Sequence, residues 1–201
     1  MTLFAMPLAV LSLGVPPQTG TTAPVQVDWQ LPVRRTVLYP PETELRPRVP
    51  PQLPPEVADV FENEFAVLPY YGAFAISKEF AYGYSVGANS LEATREIAML
   101  ECLEVAAQCR IVAEIVPRGY VPIRPGEITM AFESAEYWYQ MGSEQPAVSM
   151  AVSADGAYSA SWGYGTQSGA DAQSLADCEE YRISDMPTLS PYPCVLVPDL
   201  P

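Results

Sequence analysis

Histidine is absent from this 201-residue chain and lysine occurs once, at Lys78. That removes serine–histidine and cysteine–histidine nucleophilic catalysis, and histidine-ligated zinc. Carboxylates and tyrosines are left as the groups able to move protons. One grouping has a spacing to weigh: Glu127, Glu133 and Glu136 stand near the triplet Tyr137-Trp138-Tyr139. Two carboxylates beside an aromatic platform are what glycoside hydrolysis requires. Acids are spread through the whole chain, so composition alone accounts for this grouping more simply. Asp177, Glu179 and Glu180 surround Cys178, but their spacing matches no calcium loop and reads as a solvated helix end. No catalytic residue, metal ligand or cofactor is assigned.

Among the aromatic residues, the triplet is the better surface candidate. Three consecutive aromatics cannot all point inward from a strand, so at least one of Tyr137, Trp138 and Tyr139 is expected at the surface. Exposed aromatics are enriched where binding energy concentrates. These three, with Glu133 and Glu136, form the candidate binding surface. Tyr71, Tyr82, Tyr84, Tyr158, Trp162 and Tyr164 offer a second possibility, a groove for a glycan or peptide. Alternation places Tyr82, Tyr84 and Val86 on one face, which fits core packing better.

The elements that must position these residues are written twice. Ala75, Ser77, Ala81, Tyr82, Ser85, Gly87 and Cys102 recur 76 residues later as Ala151, Ser153, Ala157, Tyr158, Ser161, Gly163 and Cys178. Each copy starts with an alternating strand, with Phe74 and Ile76 or Met150 and Val152 on one face. A tight turn follows; in the second copy it holds Asp155-Gly156, a hairpin signal. A second strand ends at Gly87 or Gly163. A helix is expected from about Asn89, as N-cap, to about Val105, with Glu92 three residues on. Thr94, Ala98 and Cys102, like Ala170, Ser174 and Cys178, form a face of small side chains that lets the helix approach a sheet closely. A strand from Arg110 or Val195 closes each unit. The fold class is therefore α+β: two β-β-α-β repeats, about 71–116 and 147–200, sharing one antiparallel sheet with both helices on one face.

The four cysteines fall inside the repeat. Cys102-x6-Cys109 and Cys178-x15-Cys194 have neither zinc nor redox spacing. The parsimonious pairing is within copies, and the alternative is free thiols in a reducing compartment. By loop entropy the first disulfide would add about 2.5 kcal/mol and the second about 3 kcal/mol.

The N-terminal part reads differently. Leu3 to Val15 is an uncharged apolar run with the length of a signal-peptide core, too short to span a bilayer as a helix. Residues 1–23 are accordingly expected to be a signal peptide. Residues 24–55 carry Pro40-Pro41, Pro50-Pro51 and Pro54-Pro55 and show little periodicity, so they are expected to be a disordered proline-rich linker. The disulfide-stapled domain is then 56–201. Charge divides at the same place. Residues 1–55 set Arg34, Arg35, Arg46 and Arg48 against Asp28, Glu42 and Glu44, while residues 56–201 hold 21 acids and 6 bases, a balance of −15. Phosphate binding needs basic density, which argues against nucleic acid. The acidic balance reads first as a solvated, self-repelling surface; the sharper reading is an acidic face that steers a cationic protein partner.

The run Tyr71-Gly-Ala-Phe-Ala-Ile-Ser, then Ala81-Tyr-Gly-Tyr-Ser-Val-Gly, Cys102 and Cys109-Arg-Ile-Val, with its second copy from Met150 to Cys194, resembles the DUF4189 family. Its members are mostly small exported bacterial proteins without an assigned reaction. The resemblance implies export, to the periplasm or beyond, and intramolecular disulfides; it brings no catalytic residues. The expected function is an exported, non-enzymatic interaction domain, such as an immunity or inhibitor protein. A carboxylate-dependent cell-wall or glycan hydrolase is the alternative.

Overall fold

A computed structural model of the chain describes residues 33–48, 52–141 and 146–198. The expected signal peptide lies outside these residues, as does the linker up to residue 32. No helix among the described residues is long and apolar enough to cross a membrane.

The α+β class is as expected, and each copy has the order read from the repeat. In unit one, β3 (Gly72–Ser77) pairs antiparallel with β4 (Tyr82–Val86) and with β5 (Cys109–Pro117), and α2 (Leu91–Val105) connects them. In unit two, β7 (Ser149–Val152) pairs antiparallel with β8 (Tyr158–Ser161) and β9 (Val195–Leu196), with α4 (Gln167–Glu180) between. The helices start 76 residues apart because their caps do: the side-chain oxygens of Ser90 and Thr166 accept from the amides of Ala93 and Gly169. The cap of α2 is thus Ser90, not Asn89, whose side chain has another task. The small helix face packs as expected. Ala98 and Cys102 meet Ala73 and Ala75, and a Cβ on Gly83 would lie 2.7 Å from Glu101 Cβ and 2.8 Å from Ala98 O. Only glycine allows that approach.

Two expectations fail. The units do not share one sheet: the strand order is β2 (Thr43–Pro47), β5, β3, β4 in unit one and β8, β7, β9 in unit two. The edges of unit one are already occupied. Strand β2 (Thr43–Pro47) pairs with β5, and at β4 the Tyr84 amide donates to Glu101 Oε2 at 3.2 Å. Nor do both helices cover a common face. While α2 covers one side of the unit-one sheet, α1 (Pro55–Val60) and the π-helical turn Phe61–Phe65 cover the other, with Phe61 and Phe65 each 5.3 Å from Phe74.

The second failure concerns the linker. Residues 33–48 belong to the fold. Strand β1 (Arg35–Val37) runs parallel to β6 (Glu127–Thr129), and β2 extends the main sheet. The anchoring is polar, which is why no apolar period marks it. Arg48 donates to Glu114 at 2.6 Å and Arg95 of α2 reaches the same oxygen at 2.6 Å. The Glu114 side chain is 6% exposed, so the N-terminal segment supplies half the cation clamp on a buried carboxylate. Proline is tolerated because β2 is an edge strand.

Between the units, β6 leads into α3 (Phe132–Met141). Its Trp138 joins Ala88, Ile128, Met130, Met150 and Ala154 in one core cluster. Asn89 is the polar counterpart of that core. It is fully buried; its backbone amide donates to Ala154 O at 3.0 Å, and its side-chain amide donates to Ser153 O at 2.8 Å and Ala157 O at 3.3 Å. Its side-chain oxygen accepts from the Ala131 amide at 2.8 Å, and its backbone oxygen accepts from the Thr129 hydroxyl. One side chain therefore ties unit one, the connector and unit two together.

Candidate binding cleft

The aromatic triplet lies on a helix, not a strand, so its members diverge by about 100° each. Trp138 points inward and is 3% exposed. This corrects its expected surface role: one residue in three or four of a packed helix must face the core, and Trp138 shares that face with Ala135. Tyr139 is 57% exposed. Tyr137 sits at the margin, its ring 5.6 Å from Tyr158. Glu133 and Glu136 are exposed on the same helix.

One turn on from Tyr137, the helix meets unit two. There Tyr137, Gln140, Met141, Val148 and Trp162 line an open cleft of about 330 Å³. Local chemistry holds its walls. Gln167 Nε2 donates to Val148 O at 2.8 Å, and the Gly163 amide donates to Pro146 O at 3.1 Å. Trp162 is 48% exposed although it follows directly on β8, and Tyr164 beside it is also exposed. The described lining has aromatic faces, a thioether and one amide, and no carboxylate. Such a surface suits an apolar or aromatic group with a polar neighbour. Of the residues singled out from sequence, the structure brings Tyr137 and Trp162 together here. Gln140, Met141 and Val148 were missed; the i, i+4 spacing of Tyr137 and Met141 was their only signal.

The other candidates have structural employment. Glu127 lies 3.7 Å from Arg35 and accepts from the Arg124 amide at 2.9 Å. Tyr82 and Tyr84 stack on Phe74 at 5.5 and 5.9 Å, and Tyr71 is fully buried. Asp177 accepts from Gln173 at 2.6 Å, and Glu179 accepts from Arg182 at 2.8 Å. Burial opposes the charge on Glu179, but the Arg182 guanidinium and the Cys194 amide outweigh it and hold the carboxyl below its ordinary value. Glu180 is exposed. Among the described residues, no group of three acids, histidines or cysteines is placed to hold a metal ion. The four cysteines form the disulfides Cys102–Cys109 and Cys178–Cys194, each joining a helix to the strand that closes its unit.

Comparison with known protein families, with curated proteins and with solved structures finds no match for this chain.

Proposed function

We propose that the chain is an exported protein-interaction domain, of the immunity or inhibitor kind, whose cleft at Tyr137 and Trp162 takes an apolar side chain from a cationic protein partner. The observation that carries this reading is the half-exposed Trp162, held at the mouth of a cleft without a carboxylate among its described lining residues. Large exposed aromatics in a preformed recess anchor interfaces. The acidic balance supports a basic partner: residues 56–201 carry −15, and Glu133 and Glu136 stand exposed on the helix that forms one wall. Export is supported by two disulfides, which persist in oxidising compartments, and by the resemblance to DUF4189.

The test is calorimetric titration with the blocked tripeptide Lys-Phe-Lys and, as control, Glu-Phe-Glu. The cationic peptide should bind, more weakly as salt is raised, and Trp162→Ala should abolish binding. Binding untouched by Trp162→Ala removes the cleft from the reading. Release of reducing ends from cell-wall glycan, lost in Glu133→Gln or Glu136→Gln, replaces it with the hydrolase.

A further inference from the structure

Each unit has two ends. The hairpin tip lies at one end of β4 or β8, and the junction leading into the helix lies at the other. The tip of unit two, Ser153–Ala157, is seated on the junction of unit one, Gly87–Asn89. Asn89 makes the hydrogen bonds already described, and a Cβ on Gly156 would lie 3.0 Å from Gly87 O and 3.2 Å from Ala88 Cα. The units are thus stacked head to tail. Among the described residues, such stacking leaves the tip Ser77–Ala81 of unit one and the junction Gly163–Gly165 of unit two without a seat on the other unit's end, the junction being tied instead to the connector through the Gly163 amide on Pro146 O.

Both open ends carry a cleft, and their chemistry is complementary. At the open tip, Ile76, Ser77, Lys78, Gln108, Cys109 and Arg110 line a recess of about 390 Å³. Lys78 and Arg110 are exposed there, two of the few cations in a chain of net charge −14. Phe80 projects from the same tip, 42% exposed, with φ of 66°. Its counterpart 76 residues on is Gly156, with φ of 111°. The turn keeps its positive φ in both units, yet unit one displays a phenylalanine on it, in a conformation that disfavours bulky side chains. At the open junction, Trp162 and Tyr164 are exposed and a Cβ on Gly163 or Gly165 would meet nothing within 4 Å. Glu133 and Glu136 lie on the helix that shares this cleft.

We infer that the occupant of the Trp162 cleft is the open hairpin of a second copy of this chain, with Phe80 against Trp162 and Tyr164 and with Lys78 and Arg110 facing the acidic side of α3. The inference rests on the reading of that cleft as a binding site and puts the locally basic tip of a second copy, itself an acidic chain of net charge −14, where that reading has a cationic protein. Tip and junction are different surfaces, so the contact is heterologous. It builds open chains or a ring, not an isologous two-fold dimer.

Sedimentation velocity at 0.15 M salt tests it, because there the Debye length of about 8 Å screens the repulsion between acidic copies. The wild-type chain should gain mass with concentration. Phe80→Gly removes the tip's aromatic group without disturbing the turn, since glycine takes positive φ freely, and it should sediment as a monomer. Trp162→Ala should do the same. Mixed in equal amounts, the two variants should form a 1:1 dimer that grows no further, since one lacks a tip and the other a cleft. A wild-type chain that stays monomeric up to about 1 mM, or a Phe80→Gly variant that assembles normally, overturns the inference. Cleft binding of Lys-Phe-Lys by a chain that remains monomeric sinks self-association alone; absence of both sinks the cleft reading as well.

Discussion

Asn89→Ala should weaken the whole fold through atoms that lie in three different parts of it. The Ala131 amide, on a residue 2% exposed, would lose its acceptor at 2.8 Å. The Ala157 carbonyl would keep its bond from the Ser153 amide at 2.9 Å, and the Ser153 carbonyl would keep a longer one from Gly156 at 3.3 Å. One buried donor is therefore orphaned, at about 1–3 kcal/mol, and one good side-chain hydrogen bond is lost, at about 1 kcal/mol. The expected loss is about 2–4 kcal/mol, or roughly 5–15 °C in melting temperature for a domain of this size. Asn89→Asp refines the test. Its carboxylate would face the carbonyl oxygens of Ser153 and Ala157, so ionisation is disfavoured in the fold and the folded pKa is raised above the unfolded value of about 3.9. A group raised in this way stabilises fully below its unfolded pKa and loses that contribution as pH climbs through the folded one. The deficit of Asn89→Asp against wild type should therefore narrow in acid and widen toward neutrality. Denaturant unfolding of wild type, Asn89→Ala and Asn89→Asp at pH 7 and near pH 4 measures both effects. An Asn89→Ala loss below about 0.5 kcal/mol, or an Asn89→Asp deficit independent of pH, would refute the view that this side chain joins the units.

Trp138→Ala should cost about 3–5 kcal/mol by opening the core shared by the two units, a loss visible in chemical denaturation and distinct from the small stability effect expected of Trp162→Ala. Deleting residues up to 48 should lower the unfolding midpoint and expose the β5 edge, and limited proteolysis should leave a fragment that still contains residues 33–48; a fully stable fragment starting near Glu56 would contradict the β2 pairing. Arg48→Ala alone should cost about 1–2 kcal/mol, since Arg95 remains on Glu114. In alkali, burial pushes the Tyr70 hydroxyl up to about 12 and raises Tyr71, Tyr120 and Tyr192 as well. Their neutral forms are favoured in the fold, so stability should be intact below pH of about 10, the ordinary tyrosine value, and fall above it. Tyrosinate absorbance should then rise in two phases, the second coinciding with unfolding by circular dichroism.

The repeat, the disulfide partners and the small helix face were legible in the residues because each is local or periodic. A cap acts within one turn, a hairpin within five residues, and an identical offset carries the same pairing into both copies. Even there the cap was displaced by one residue: Ser90 and Asn89 are equally good N-caps by type, and only the demand of unit two for the Asn89 amide separates them. What the tertiary structure alone decided depends on partners distant in sequence. The residues around β2 resemble a proline-rich linker until β5 offers hydrogen bonds and Glu114 needs a second cation. Trp138 and Trp162 are both aromatics in polar surroundings, yet one fills the core between the units and the other stands at a cleft mouth, because helix α3 turns 138 inward while Trp162 lies just past the end of β8. The end-to-end stacking of the units has the same origin. A repeat specifies the shape of each unit, but the way two units meet is set here by the Asn89 side chain on the backbone carbonyls of Ser153 and Ala157, and Asn89 is a position where the copies differ, its counterpart being Gly165.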